Sequence, residues 1–314
     1  MEIKSLKIGR LTTDNNLFLA PLAGFTDRAF RQVCIELGAG VTFTEMVSAK
    51  GLKYNNQATR DLLKISTLEK IPAVQLFGSD PEIMRTACES YDLEKFDIVD
   101  INMGCPVPKV FNNGEGSALL NNLDLAEKIV SECVKSGKII TVKMRSGVEK
   151  GQNTAIELAK RVEDAGASLI TVHGRCRDDY YSGEVDYNLI KTIKQNAKIP
   201  VIANGGVFTK KDADNLIEKT GADGIMLARG ALFNPLLFSK ILNINSEIDK
   251  KTVVFRHIDL LLQDLDEEFA VRYLRKQLAY YVAGLKNSKQ AKLRIFSATK
   301  ISEVKEILNE LDFG

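Results

Sequence analysis

Strand-like and helix-like segments alternate eight times between residues 17 and 230, and this alternation restricts the possible folds more than any other feature. Most of the short runs rich in β-branched residues are followed by a longer segment of helical period. Strands that alternate with helices pair in parallel, so eight units predict a (β/α)8 TIM barrel. The predicted strands are 17–20, 41–45, 71–77, 96–102, 138–145, 168–174, 198–206 and 222–230.

A doubly wound sheet is the alternative to a barrel. Such a sheet normally has a phosphate loop after its first strand, but the segment here is APLAGFTDR rather than G-x-G-x-x-G. The alternation ends near residue 240, and segments 252–266, 268–285 and 301–311 have helical period. The sequence therefore predicts a catalytic barrel over residues 1–240 and a small all-α helical domain over residues 241–314.

Composition excludes several classes of protein. The chain has 314 residues, of which 45% are hydrophobic, so it can bury a sizeable core. Its five cysteines form no C-x-x-C pair, and it has only two histidines, which argues against a disulfide framework, a zinc site or any His-rich metal site. Because the N-terminus is polar and no apolar run approaches about 18 residues, we expect a cytoplasmic protein without membrane segments.

The carboxyl ends of the predicted strands carry mainly amides, cations and glycines. Active sites of TIM barrels form at these ends, and Glu45 is the only carboxylate that falls at one of them. A hydrolase with paired carboxylates or a magnesium enzyme would need more acid. The ring suits a planar, anionic ligand such as FMN, since a lysine can stabilise the reduced flavin and amides can bond its carbonyl and N–H groups. Glycine loops at 204–206 and 228–230 predict a phosphate site.

Cys105 lies in an unusual place for a cysteine. It stands between Gly104 and Pro106 in DINMGCPVPKVFNNGEGSALL, at the end of the fourth predicted strand and outside any periodic apolar pattern. A thiol with a pKa of about 8.5 is mostly protonated at neutral pH and can act as an acid. We therefore treat Cys105 as a candidate functional residue; the alternative is a thiol that only packs the loop.

Eight blocks between about residues 19 and 235 read APLAGFTDRAFR, TEMVSAKGL, VQLFGSDP, DINMGCPVPKVFNNGEGSALL, VKMRSGVE, VHGRCRDDYYSGEVDY, PVIANGGV and MLARGALFNP. Together they resemble the bacterial type of the tRNA-dihydrouridine synthase family, and NMGCP followed by GEGSALL is the most specific match. The resemblance implies reduction of D-loop uridines in tRNA to 5,6-dihydrouridine, with FMN bound and NADPH as the usual reductant. It also implies that hydride goes from FMN to C6 of the uracil and that Cys105 protonates C5. Leu22 stands where the family commonly has Met, and no Trp accompanies Tyr187.

The resemblance also assigns roles to matched positions. The expected cofactor-binding residues are Pro21, Leu22, Ala23, Gln75, Lys143, His173, Asn204, Gly205, Gly206, Ala228 and Arg229. The expected substrate-binding residues of the barrel are Asn102, Arg175, Arg177 and Tyr181.

The C-terminal segment carries an uneven distribution of charge. Residues 271–300 contain eight Lys or Arg and no Asp or Glu, with Tyr273, Tyr280, Tyr281 and Phe296 interleaved, although the net charge of the chain is only +2. Such a stripe suits contacts with RNA phosphates, and we expect tRNA to bind there through Arg272, Arg275 and Lys276. The alternative is a solvated basic helix face whose aromatic residues belong to the core. We take a monomer as the default.

Two other functions remain open. A small-molecule FMN oxidoreductase of the dihydroorotate dehydrogenase type would share the barrel and the flavin, but it would not need a basic helical tail. A non-catalytic RNA-binding module would not need Cys105 and Lys143 together at strand ends.

Overall fold

A computed structural model describes residues 2–244 and 247–313 and contains a closed barrel of eight parallel strands. A short antiparallel hairpin, β1 (Lys7–Ile8) and β2 (Leu11–Thr12), precedes the barrel. The barrel strands are β3 (Leu17–Leu19), β4 (Val41–Ser48), β5 (Ala73–Phe77), β6 (Ile98–Met103), β7 (Ile139–Arg145), β8 (Ile170–His173), β9 (Val201–Asn204) and β10 (Gly224–Leu227). They pair in chain order, and β10 closes the barrel on β3. The predicted fold class is confirmed, and each of the eight predicted strands overlaps one barrel strand, although β4 and β6 run beyond the predicted ends.

Helices cover the outside of the barrel and form the C-terminal part of the chain. The α-helices are α1 (Arg28–Glu36), α2 (Ala49–Lys53), α3 (Gln57–Arg60), α4 (Pro81–Glu89), α5 (Pro108–Phe111), α6 (Leu123–Val134), α7 (Thr154–Asp164), α8 (Tyr187–Asn196), α9 (Lys210–Thr220), α10 (Arg229–Phe233), α11 (Leu237–Leu242), α12 (Lys250–Leu261), α13 (Glu267–Tyr281), α14 (Ser288–Ser297) and α15 (Ile301–Asn309). Short 3-10 helices span Asp61–Leu63, Tyr91–Leu93 and Gly116–Asn121. In residues 2–244 and 247–313, no helix is long and apolar enough to cross a membrane.

Polar caps determine where many of these helices begin. The side chain of Asp27 accepts a hydrogen bond from the backbone N–H of Phe30 at the start of α1, and Asp80 caps α4 in the same way, with Pro81 in the first turn. These side chains satisfy backbone donors that a helix leaves unpaired at its N-terminus. Several of the βα loops thus end at a defined residue, which fixes how far the loops at the carboxyl end of the barrel can extend.

The apolar residues form two clusters, one between barrel and helices and one inside the barrel. The inner cluster joins Leu6 and Ile8 of the N-terminal segment to Val41, Ala73 and Ile98, which lie at the beginnings of strands. The hairpin therefore closes the amino end of the barrel. It was not predicted, because strands of two residues carry no measurable alternation. The opposite, carboxyl end is left for polar side chains.

The C-terminal helices pack on the barrel through the same apolar cluster that surrounds it. Leu274, Leu278 and Tyr281 of α13 are buried, and Arg28 of α1 donates a hydrogen bond to Asp264 at 2.6 Å. The helical tail was predicted, but α14 was missed, because it lies between the predicted segments 268–285 and 301–311; Asn287, with φ of +63°, precedes α14. The division at 240/241 lies within α11 and stays a prediction.

Candidate active site

A cavity of about 670 Å³ opens at the carboxyl end of the barrel strands. It is lined by most of the residues that the sequence predicts for the site: Pro21, Leu22, Ala23, Gln75, Asn102, Cys105, Lys143, His173, Arg175, Tyr181, Asn204, Gly205, Gly206, Ala228 and Arg229. Arg177, Arg272, Arg275 and Lys276 do not line it. The structure thus brings all the expected cofactor-binding positions and the proposed acid into one concave space, and it places four of the expected substrate contacts outside.

Lys143 supplies a half-buried cation to the cavity. Its Nζ donates a hydrogen bond to Asn204 Oδ1 at 3.2 Å, and Asn204 Nδ2 donates to the carbonyl oxygen of Met226 at 2.7 Å. Burial, together with the charge of Arg145, lowers the pKa of Lys143 to about 8. A cation that is poorly solvated in this way gains stability when an anionic group binds beside it.

His173 is held as a neutral imidazole. Burial and the neighbouring charges of Lys143, Arg145 and Arg175 keep its pKa well below the usual value. Its Nε2 lies 3.4 Å from Nη1 of Arg175, and a guanidinium can only donate hydrogen bonds. Nε2 therefore acts as the acceptor, and Nδ1 carries the proton, so His173 keeps one N–H donor.

The glycine loop after β9 gives the backbone close access to the cavity. Gly205 has a φ of +124° and Gly206 a φ of +72°, and a Cβ atom at Gly205 would lie only 2.9 Å from the ring of His173. The guanidinium of Arg229 stands nearby, 4.4 Å from the centre of the Tyr181 ring. Exposed backbone beside arginine side chains is an environment that binds phosphate.

The Cys105 loop is anchored from both sides. Asn102 Oδ1 accepts the backbone N–H of Cys105 at 2.9 Å, and Ser117 Oγ donates to the carbonyl oxygen of Cys105 at 2.8 Å. The side chain is 8% exposed, and burial raises the pKa of the thiol. The thiol is therefore protonated at neutral pH and borders the cavity.

Arg145 is a site residue that the sequence reasoning did not assign. It donates to the carbonyl oxygens of Gly104 at 3.0 Å, Cys176 at 2.6 Å and Tyr180 at 2.8 Å, and thereby connects the Cys105 loop to the loop after β8. The signal was its position two residues after Lys143 on one strand, since alternate residues of a strand share a face.

The helical tail also contributes to the cavity. Tyr280 of α13 lines it, and the rings of Phe25 and Tyr280 meet edge to face with centroids 5.3 Å apart. A ligand in the cavity is thus within reach of both the barrel and the tail.

The basic stripe of residues 271–300 is divided among several environments. Arg272 pairs with Glu268 at 3.0 Å, and Arg275 donates to the carbonyl oxygen of Ala298 at 3.0 Å. Lys276 turns inward, with its Nζ 4.4 Å from the centre of the Tyr273 ring.

Other members of the stripe face solvent. The freest cations are on or beside α14: Lys286, Lys289 and Lys292 make no ion pair or hydrogen bond with the described residues. On the same helix, the Leu293 side chain is 75% exposed and that of Phe296 is 52% exposed, whereas Tyr281 is fully buried and cannot stack on a base.

Arg177 also lies away from the cavity. Its guanidinium stacks on Phe111 at 3.9 Å and pairs with Asp178 at 2.9 Å. Its predicted contact with the substrate stays a prediction.

A parallel eight-stranded barrel whose carboxyl end holds a cation-rich cavity and a protonated cysteine belongs to the class of (β/α)8 enzymes. The chain belongs to the dihydrouridine synthase family: the family model described as Dihydrouridine synthase (Dus) matches residues 18–312. The predicted family is confirmed.

Individual relatives agree with this assignment. The chain is 37% identical over 290 residues to tRNA-dihydrouridine synthase B of Pasteurella multocida, which covers 89% of this chain and 87% of the relative. It is 35% identical over 295 residues to tRNA-dihydrouridine synthase B of Pseudomonas aeruginosa, which covers 91% and 89%. A probable tRNA-dihydrouridine synthase of Rickettsia conorii is 36% identical over 297 residues, with 90% and 89% covered.

Solved structures share the fold at much lower identity. A morphinone reductase variant in complex with tetrahydroNAD superposes with a TM-score of 0.58 at 14% identity and covers 79% of this chain and 93% of its own. Histamine dehydrogenase from Rhizobium sp. 4-9 gives a TM-score of 0.59 at 15% identity, with 82% and 50% covered. Both likenesses concern the barrel architecture.

Proposed function

We propose that the protein reduces D-loop uridines of tRNA to 5,6-dihydrouridine, using FMN in the barrel cavity and NADPH as the reductant. The observation that carries the proposal is that Cys105, Lys143 and the Gly205–Gly206 loop meet in one cavity of a chain of the dihydrouridine synthase family. Since tRNA is the substrate, the proposed compartment is the cytosol, and the proposed working unit is a monomer with a catalytic barrel (1–240) and a tRNA-binding tail (241–314).

The donor set of the cavity fits FMN. We assign the phosphate to the Gly205–Gly206 loop and Arg229, and the ring system to Gln75 and Lys143. Pro21, Leu22, Ala23, His173, Asn204 and Ala228 complete the proposed FMN site. FMN held by these residues would supply the hydride for C6 of the uracil.

Cys105 supplies the proton in this proposal. Its thiol is kept protonated by burial, and Asn102, Ser117 and Arg145 hold the loop that carries it. When uracil occupies the cavity, Cys105 Sγ gives its proton to C5. Asn102, Arg175 and Tyr181 line the same space and are proposed to hold the base.

The tail favours tRNA over a small molecule as the substrate. A dihydroorotate dehydrogenase type of enzyme has no use for the unpaired lysines on and beside α14 or for the exposed side chains of Leu293 and Phe296 on the same helix. We propose that phosphates of the tRNA lie along α14 and α13, where Arg272, Arg275 and Lys276 were predicted to act.

The purified protein should be yellow and should release FMN on heating. Only one phosphate cradle, that of Gly205–Gly206, is assigned, which suits a mononucleotide better than FAD. Mass analysis of the released chromophore identifies the cofactor. With NADPH and tRNA lacking dihydrouridine, dihydrouridine should accumulate, and dihydroorotate should not reduce the flavin. Release of FAD, or a folded protein without flavin, would contradict the assignment, and activity on dihydroorotate alone would favour the second function.

The lysines of α14 should determine the salt dependence of tRNA binding. Replacing Lys286, Lys289 and Lys292 together with Gln should make the slope of log K against log salt shallower by about 2–3. Each lost phosphate contact reduces the magnitude of this slope by roughly 0.7–0.9.

A matched triple variant removes the same charge elsewhere. Lys160, Lys191 and Lys211 are exposed on α7, α8 and α9, on the outer surface of the barrel, and their replacement with Gln should leave the slope unchanged. Equal slopes for both triple variants would show that tRNA does not lie on α14. The triple Arg272, Arg275 and Lys276 to Ala, measured in parallel, tests the contacts predicted on α13.

A further inference from the structure

A chain of hydrogen bonds connects the barrel interior to the Cys105 loop. Asp100 Oδ2 accepts from Gln75 Nε2 at 2.7 Å, and Gln75 Oε1 accepts from Asn102 Nδ2 at 2.8 Å. Asn102 Oδ1 then accepts the backbone N–H of Cys105 at 2.9 Å and that of Gly104 at 3.1 Å. This chain of bonds is shielded from solvent, since the side chains of Asp100 and Gln75 are each 1% exposed.

The register of strands β5, β6 and β7 brings the residues of this hydrogen-bond chain side by side. Gln75 on β5 pairs with Asp100 on β6, and Asp100 pairs with Thr141 on β7. Thr141 Oγ1 donates to Asp100 Oδ1 at 2.7 Å, so both carboxylate oxygens of Asp100 are occupied by side chains of the neighbouring strands. Asp100 does not line the cavity; its hydrogen bonds lead to the cavity through Gln75 and Asn102, and its charge also acts on Lys143.

The direction of every bond in this chain is fixed by its two ends. The backbone N–H groups of Gly104 and Cys105 can only donate, and an ionised carboxylate at Asp100 can only accept. The amides of Gln75 and Asn102 must therefore turn their oxygens toward Cys105 and their nitrogens toward Asp100. Turning either amide over would bring two N–H groups or two oxygens together in a buried place and leave hydrogen bonds unmade.

The charge state of Asp100 agrees with these hydrogen-bond directions. Burial raises the pKa of Asp100 to about 6, while hydrogen bonds from Gln75 and Thr141 and the charge of Lys143 act in the opposite direction. The carboxyl group is consequently mostly ionised at pH 7 and above, and accepts both hydrogen bonds.

Because these hydrogen bonds have a fixed direction, the only group of the Asn102 side chain left for a ligand is an N–H donor. Its Oδ1 already accepts two backbone N–H groups, and one of the two hydrogens on Nδ2 goes to Gln75. Asn102 lines the cavity, so it can offer a ligand one N–H donor and no acceptor. A carbonyl oxygen satisfies such a donor, whereas a ring N–H does not.

We propose that Asp100 is a positioning residue: through Gln75 and Asn102 it holds the Cys105 loop in place and fixes Asn102 as a hydrogen-bond donor to a carbonyl oxygen of the uracil. The identity of uracil rests on the proposed function, whereas the effect of Asp100 on the Cys105 loop does not. A side chain that merely fills the interior at this place would not need to be a carboxylate, because an apolar residue packs there without burying a charge.

The first test measures how fast iodoacetamide alkylates Cys105 in the holoenzyme without tRNA, followed by mass analysis of the Cys105 peptide. In Asp100→Leu, Gln75 loses its acceptor, the loop is released, and alkylation of Cys105 should accelerate about tenfold, a typical coupling within one hydrogen-bond network. Thr171→Val is the matched control. Thr171 is buried on β8, two strands from Asp100, and its hydroxyl has no hydrogen-bond partner among the described residues, so its loss should leave alkylation unchanged.

The second test is a double-mutant cycle on single-turnover reduction of tRNA by pre-reduced enzyme. Asp100→Asn alone should slow this step roughly tenfold, because its amide can present nitrogen instead of oxygen to Gln75. In an Asn102→Ala background the same change should have almost no further effect. An equal tenfold loss in both backgrounds would overturn the proposal, because Asp100 would then act independently of Asn102.

The tests remain decisive if Asp100→Leu does not fold or if the wild-type enzyme does not reduce tRNA. If Asp100→Leu does not fold, Thr141→Val removes one donor to Asp100 without changing side-chain shape, and it should accelerate alkylation of Cys105 more than Thr171→Val does. Identical rates in these two threonine variants would overturn the proposal. If the wild-type enzyme does not reduce tRNA, the proposed function fails, but the alkylation rates still decide whether Asp100 controls the Cys105 loop.

Discussion

Cys105→Ala should bind FMN and tRNA normally and yet form dihydrouridine about 10²–10⁴-fold more slowly than the wild type. A positioned general acid contributes an effect of this size, and burial keeps the Cys105 thiol protonated. Cys105→Ser should also be slow, because a hydroxyl group is a much weaker acid than a thiol. The decisive measurement is a single turnover in which flavin is reduced first, tRNA is added, and reoxidation is followed.

Cys176→Ser provides a matched control for this substitution. Cys176 is also buried and lies on the neighbouring loop, but its Sγ donates to Asp179 at 3.1 Å and does not line the cavity. A serine can keep that hydrogen bond, so turnover should stay close to that of the wild type. If Cys105→Ala reoxidised at the wild-type rate, Cys105 would not be the proton donor. If Cys105→Ala lost flavin and thermal stability in proportion to activity, the thiol would only pack the loop.

The barrel could be predicted because each of its strands is a short apolar run with an evident end. Parallel strands are buried on both faces, and β6, for example, is buried at every position from Ile98 to Met103. The candidate site was predicted by the same reasoning, since the carboxyl ends of such strands meet around one cavity, and the roles of its residues stay predictions. Lys143 and Cys105 could be identified because each breaks the pattern of its surroundings, one as a cation in an apolar run and one as a thiol outside it.

Features that depend on contacts between distant residues could not be predicted. The acidic partner of Arg294 is Glu310, which lies outside the acid-free segment 271–300 and becomes visible only when α14 and α15 pack together. Asp100 lies two residues before the end of the predicted strand 96–102, but its proposed role depends on the register that sets it between Gln75 and Thr141. Register follows from the closure of the whole barrel, which no single segment encodes.

Lys143→Ala should lower the two-electron midpoint potential of bound FMN by roughly 30–65 mV and slow turnover with tRNA. A hydrogen bond to a charged group is worth about 1.5–3 kcal/mol, and for a two-electron couple about 1.4 kcal/mol corresponds to 30 mV. Lys143 contributes a positive charge to the proposed flavin site, and this charge favours the negative charge that reduction adds.

Two other substitutions at this position separate charge from packing. Lys143→Met keeps an unbranched side chain of similar length without the charge, and it should lower the potential as much as Lys143→Ala does. Lys143→Arg keeps the charge and should recover most of the lost potential. Thermal unfolding of the three variants serves as the check that the barrel is intact.

The effect of Lys143 on the potential should also depend on pH. The pKa of Lys143 is lowered to about 8, so the side chain is charged below that pH and loses its proton above it. The difference in potential between wild type and Lys143→Met should therefore be largest below pH 8 and should shrink as the pH rises. An anionic ligand raises the pKa of a neighbouring cation, so the decrease begins at or above pH 8 in the holoenzyme. A potential that is the same in wild type and Lys143→Met at pH 7 would show that Lys143 does not stabilise the reduced flavin.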